Sequence, residues 1–118
     1  MLNSITIMGR LTDDPVFRQL PTGTHLATFT LACERNFSYK GDEKQTTDFI
    51  DVSAWRGNAD FVAKNFRKGS MIVVDGRLQT RSYTDAGGNN RVAAEVNAEN
   101  IYFGEPKAAS ADKEEERA

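Results

Sequence analysis

The stretch Met71-Ile72-Val73-Val74-Asp75-Gly76-Arg77-Leu78-Gln79-Thr80-Arg81-Ser82-Tyr83 decides how this chain folds. With the two-residue alternation of a β-strand, Ile72, Val74, Gly76 and Leu78 fall on one face, and Asp75, Arg77, Gln79, Arg81 and Tyr83 on the other. The first face is expected to enter a core. The second interleaves guanidinium groups with an aromatic ring. Such a surface suits a partner that carries both negative charge and flat π-faces, which describes an unpaired nucleic-acid strand.

At 118 residues the chain is the size of one domain, long enough to bury a core without disulfides or metal. Cys33 alone excludes an internal disulfide and, with the single His25, cannot form a Cys/His zinc site, so neither metal nor other cofactor is expected. No apolar run approaches the roughly 18 residues that cross a bilayer, and Met1-Leu-Asn-Ser-Ile-Thr-Ile-Met8 lacks the basic stretch of a secretion signal. A cytoplasmic protein without a membrane partner is expected. Net charge is -2. Residues 1–104 hold 12 Lys/Arg and 12 Asp/Glu, whereas residues 105–118 hold 3 and 5, so the body is neutral and the tail acidic. A neutral body binds a polyanion if its cations cluster, because affinity follows the local potential rather than the sum.

Four more segments alternate like strands. Residues 3–12 put Ile5, Ile7, Gly9 and Leu11 on one side, with Gly9 marking a bend or close approach, before Asp13-Asp14-Pro15 stops the strand. Residues 25–35 put Ala27, Phe29, Leu31 and Cys33 inward, which makes Cys33 a packing thiol and leaves His25 a plain surface histidine at the turn. Residues 47–56 put Ile50, Val52 and Ala54 inward and Phe49, Asp51, Ser53 and Trp55 outward. Two large rings on a polar face are either covered by a helix or a second subunit, or they form a stacking platform for bases. Residues 92–98 alternate after the turn cluster Thr84–Asn90, giving a long hairpin with Arg81, Tyr83 and Arg91 on its arms. The polar loop Asn36–Thr46 carries Phe37 and Tyr39, each either a barrel cap or a contact residue.

Residues 58–68 give the single helix, with Asn58 as cap, Asp60 and Lys64 as an i, i+4 pair, and Ala59, Val62, Ala63 and Phe66 as its apolar stripe. Arg67 and Lys68 either complement the helix dipole or touch phosphate. From Glu105 the periodicity ends, and a short disordered acidic tail, 105–118, is expected after a domain at 1–104. The fold expected is all-β: a five-stranded Greek-key barrel of the oligonucleotide- and oligosaccharide-binding (OB) type, with one helix between the third and fourth strands.

Met1-Leu-Asn3, Gly9-Arg-Leu-Thr12, Asp14-Pro15, Ala27-Thr-Phe-Thr-Leu-Ala32, Thr47-Asp-Phe-Ile-Asp-Val52, Ala54-Trp-Arg56, Lys68-Gly-Ser70 and Asp75–Tyr83 together resemble the bacterial and phage single-stranded DNA-binding proteins over residues 1 to about 106. The resemblance implies the barrel, a homotetramer, and single-stranded DNA wrapped around it without strong sequence preference, in replication, recombination and repair at the nucleoid. It places the family's stacking aromatics on Phe37, Phe49, Trp55 and Tyr83, a base- or backbone-contacting position on Arg56, and the DNA arm on the hairpin carrying Arg81. Cellular members end in an acidic tip capped by Pro-Phe that recruits replication and repair enzymes. Residues 105–118 end Glu-Glu-Glu-Arg-Ala, so recruitment through such a tip is expected to be absent or weak.

The binding set expected is therefore four rings, Phe37, Phe49, Trp55 and Tyr83, with Arg56, Arg77 and Arg81 for phosphates and Arg10, Arg35, Arg67 and Lys68 in support. Catalysis is not expected: no nucleophile has a base beside it, and Asp85-Ala-Gly-Gly88 lacks the lysine and helix of a phosphate-cradling loop. Two rival classes are an OB-fold protein-interaction adaptor and a single-stranded RNA-binding module. Stacking does not distinguish the sugars.

Overall fold

Where the apolar faces of the strands meet, the sheet closes on itself. The computed structural model describes residues 1–35 and 46–106. Phe37, Tyr39 and the tail beyond residue 106 lie outside the described residues. The elements are β1 (Ile5–Leu11), β2 (Val16–Gln19), β3 (His25–Glu34), β4 (Thr47–Trp55), α1 (Gly57–Asn65), β5 (Met71–Thr84) and β6 (Asn90–Phe103). The strand order is β1-β5-β6-β4-β3-β2, and a further β1–β3 pairing turns five of these strands into a ring. This is the barrel expected, with the helix between the third and fourth strands of the ring. No helix among the described residues is long and apolar enough to cross a membrane.

The core is the set of inward positions read from alternation. Leu31, Val52, Ile72, Val74 and Val96 are fully buried, with Leu11, Ala27, Phe29 and Ala54 beside them. Cys33 packs against this cluster, and burial pushes its thiol up, with the Asp48 carboxylate adding to the rise, as suits a packing group. Closure requires backbones to approach closely at two glycines. A β-carbon on Gly9 would lie 2.7 Å from the Ala32 carbonyl oxygen, and one on Gly76 would lie 2.1 Å from that of Asn97. Gly9 therefore marks the close approach expected of it.

Six readings need correction. The chain does not stop at Asp13-Asp14-Pro15. It bends there and resumes as β2, which continues along the same edge of β3, pairing Val16 with Thr28 and Gln19 with His25. All four β2 residues are exposed, so no alternation announced the strand. Leu78 does not anchor β5 in the core. The register shifts between Asp75 and Gly76, and every β5 residue from Arg77 to Thr84 is exposed, Leu78 by 43%. Beyond the bulge the strand leaves the wall and becomes an arm paired only to β6.

The helix is also shorter than expected. It ends at Asn65, and Phe66 adopts extended backbone to reach the core, where it stacks on Phe103 at 5.1 Å and meets Phe61 edge-on at 5.8 Å. Phe61, not the exposed Ala63, completes the apolar side. Arg67 and Lys68 consequently sit in the following turn, off the helix. Asn58 makes no cap. Its side-chain amide donates to the Ala98 and Glu99 carbonyls and ties the helix to β6. Lastly, His25 is more than a plain surface residue: Nδ1 lies 2.7 Å from Asp60 Oδ1, and Phe17 meets its ring edge-on at 5.1 Å.

Because the Asn97 backbone cannot move without opening the ring, Gly76→Ala is expected to cost at least about 1 to 3 kcal/mol. Urea unfolding should show a lowered midpoint with the slope unchanged.

Candidate nucleic-acid interface

Cross-strand register assembles one outer face from six strands. Arg18 on β2 pairs with Leu26 on β3, which pairs with Trp55 on β4. In the next row, Val16, Thr28 and Ser53 lie side by side, followed by Asn97 on β6 and Arg77 on β5. Thr30 and Asp51 form a third row, joined by a 2.8 Å hydrogen bond in which the threonine hydroxyl donates. Arg10, Ala32 and Phe49 form the fourth. Of the binding set expected from the sequence, Phe49, Trp55, Arg10, Arg56 and Arg77 come to this face or its border.

The two rings of β4 are exposed to different degrees. Phe49 projects outward, 67% exposed, whereas Trp55, 39% exposed, presents part of its ring at the edge of a pocket that Leu20, Thr22 and Asn58 also line. At about 3.3 Å per residue the two rings stand roughly 20 Å apart on one face of one strand, spaced for separate bases rather than for each other. Tyr83, 43% exposed, stands further out on the arm, with Arg81 Cζ 5.5 Å from its ring centroid. That cation–π contact holds guanidinium and ring together on one side of the hairpin. The arm's tip is closed by Asp85, whose carboxylate takes the Arg91 Nε–H at 2.9 Å and the Gly87 and Asn89 amides. The Arg91 bond, first among these, holds the Asp85 carboxyl below the ordinary aspartate range.

The cations divide by what already holds them. Arg35 is clasped by Asp48 through two hydrogen bonds of 3.0 Å, which hold the carboxyl down and leave the guanidinium's charge answered. Arg10 donates to the Gly69 carbonyl at 2.9 Å and lies 3.7 Å from Glu105. Arg67 and Lys68 occupy the turn after α1, where the Lys68 amide donates to Asp14. By contrast, the side chains of Arg18, Arg56 and Arg77 have no hydrogen bond or ion pair among the described residues. Arg56 is also the one non-glycine residue with positive φ among them, at 59°. Its N–H donates to the His25 carbonyl at 2.8 Å and its carbonyl accepts from Asp60 at 3.2 Å, so the unfavourable backbone is pinned from both sides. The side chain borders a shallow pocket that also touches Trp55, Thr24 and Asn97.

Two features escaped the sequence reading. Arg18 was missed because β2 was missed. The pair Val16-Phe17 between Asp-Asp-Pro and Pro-Thr-Gly, two turn signals, could have marked a short edge strand. The other is an acidic floor. A 330 Å³ cleft between the rows is lined by Asp13, Asp14, Asp51 and Glu95, and the Ser53 hydroxyl donates to Glu95 at 3.1 Å. A phosphate is repelled from that floor, whereas the N–H donors that every base carries on its edge find acceptors there.

Residues 2–104 match the single-strand binding protein family. The chain is 47% identical over 107 residues to single-stranded DNA-binding protein A of Bacillus subtilis, covering 91% of this chain and 62% of that one. It is equally identical to single-stranded DNA-binding protein 2 of Listeria monocytogenes, covering 91% and 66%. Against the single-stranded DNA-binding protein of Caldanaerobacter subterraneus the identity is 42%, over 92% and 71%. The chain thus spans about two thirds of the length of these relatives. With the matched segment running from the residue after Met1 through the end of β6, this chain belongs to the single-strand binding protein family.

Proposed function

We propose that this chain binds single-stranded DNA without reading its sequence, protecting strands exposed in the cytoplasm during replication, recombination and repair. The observation that carries this reading is the pair of exposed rings, Phe49 and Trp55, on one strand face bordered by the unpaired guanidinium groups of Arg18, Arg56 and Arg77. Each base stacked on such a ring contributes about 1 to 3 kcal/mol whatever its identity. The acidic floor supports a definite polarity across the groove: bases turn inward over Asp51 and Glu95, and phosphates keep to the rim. Tyr83 and Arg81 extend the path along the arm, with Phe37 as a fourth platform. Arg10, Arg67 and Lys68 add positive potential beside Phe49 and the β1 end.

We also propose that copies assemble symmetrically, as a homotetramer. Met8 and Tyr102, 52% and 53% exposed, flank Val73 on the outer surface of β1-β5-β6, away from the rings. The β1 edge from Ile5 to Gly9 has no strand beside it opposite β5 among the described residues. An open edge next to an apolar patch suits pairing with a second copy.

Trp55 is the sole tryptophan, so its fluorescence reports the site directly. Poly-thymidine should quench it and bind more weakly as salt rises. The slope should fall by about 0.7 for each phosphate contact removed, as in Arg18→Ala or Arg77→Ala. Quenching that is absent, or insensitive to salt, overturns the reading. Glu95→Gln keeps the Ser53 hydrogen bond and removes a floor charge. It is expected to tighten binding at low salt by on the order of 1 kcal/mol, a gain that shrinks at high salt. Arg56→Gly should raise stability by about 1 kcal/mol while weakening strand binding, because glycine relieves the backbone but carries no guanidinium. Thermal melting and the same titration measure the two effects.

A further inference from the structure

Asn3 lies before β1, yet its side chain behaves like a rung of the sheet. Nδ2 donates to the Leu78 carbonyl at 2.8 Å, and Oδ1 accepts from the Leu78 N–H at 3.0 Å. The β1–β5 ladder runs from Arg10 opposite Met71 to Ile5 opposite Gly76. The same register carried on places Asn3 opposite Leu78, so the amide supplies from a side chain the donor and acceptor that a backbone peptide would. It does so just past the Asp75/Gly76 irregularity, where β5 leaves the wall and becomes fully exposed.

Beyond that point the arm is paired only to β6, and the two strands move together. A bulge gives such a ribbon a place to pivot. Asn3 is the contact on the far side of the pivot, gripping the backbone next to Arg77 and in line with Arg81 and Tyr83. We infer that Asn3 is a positioning residue for strand binding: its amide clips the base of the hairpin to β1 and sets the angle at which Arg77, Arg81 and Tyr83 meet the path from Trp55 and Phe49. This inference rests on the proposed binding of single-stranded DNA.

The test compares the parent with Asn3→Asp, which keeps the shape but cannot donate to the Leu78 carbonyl, and Asn3→Leu, which adds no charge. Both are expected to weaken poly-thymidine binding roughly three- to tenfold, the effect of one or two lost hydrogen bonds. The thermal midpoint of the barrel should move little. In an Arg77→Ala/Arg81→Ala/Tyr83→Ala background, where none of the three positioned groups remains, the Asn3 effect should vanish. Equal affinity for parent and both variants overturns the inference, as does an Asn3 effect undiminished in that background. Amide exchange in the strand-free protein separates this from a failure of the binding proposal itself. The Asn3→Leu variant, which removes the acceptor of the Leu78 N–H, should exchange faster at Leu78 and along the arm, and unchanged exchange there refutes the clip even if the parent binds no strand.

Discussion

Backbone meets backbone at Gly76, and the rest of the structure follows from that contact. A β-carbon there would sit 2.1 Å from the Asn97 carbonyl oxygen, so only glycine lets β5 press against β6 at the register shift. On one side of the contact, Ile72 and Val74 fill the core; on the other, the same strand is exposed on both faces. One residue without a side chain thus converts a wall of the barrel into an arm. Gly9 makes the matching approach to Ala32, where β1 reaches β3 and the ring shuts. Closure leaves β4 with a dry inner face and a free outer one, which is why Phe49 and Trp55 can be large, apolar and exposed at once.

Charge is organised by occupancy more than by count. The body is neutral, and several of its guanidinium groups are spoken for: Arg35 by Asp48 and Arg91 by Asp85. The first pair joins the end of β3 to the start of β4, and the second closes the tip of the hairpin. Arg18, Arg56 and Arg77 are left to the solvent along the ringed face. Between them runs the acidic floor, so a neutral sum conceals a rim of one sign and a bed of the other. A backbone of phosphates is drawn to the first and turned away from the second.

How much of this the sequence disclosed depends on whether a residue's role is local. Ile50, Val52 and Ala54 against Phe49 and Trp55 could be sorted by alternation alone, because a strand with one dry face writes its period into the chain. Val16–Gln19 could not, because all four side chains are exposed and nothing selects a period. Leu78 misled for a related reason: the alternation continues through it, but the register shift is a property of two strands and cannot be seen in one. Asn58 and Phe66 show the same limit at the helix. A capping residue and an apolar stripe were in place, yet Asn58 bonds to β6 and Phe66 leaves the helix to stack on Phe103, both decided by partners distant in sequence. The family resemblance pointed to the ringed face of β4 and the arm because motifs carry such tertiary decisions with them, whereas Arg18 and the floor of Asp51 and Glu95 emerged only with the register.

The clip between Asn3 and Leu78 joins residues 75 apart in the chain, and the β1–β5 ladder beside it spans nearly as far. The β2-β3-β4 meander, by contrast, is stitched between neighbours in sequence apart from the segment after β3. Loop-closure entropy favours the short-range pairings first, so the sheet that bears Phe49 and Trp55 can form while β5 is still unattached. The two halves of the proposed binding face are therefore expected to differ in their place on the folding path, the platform forming in its early, local part and the direction of the arm in its last step. Under mild destabilisation the order reverses, and the arm is expected to lose its heading while the rings of β4 still stand in place.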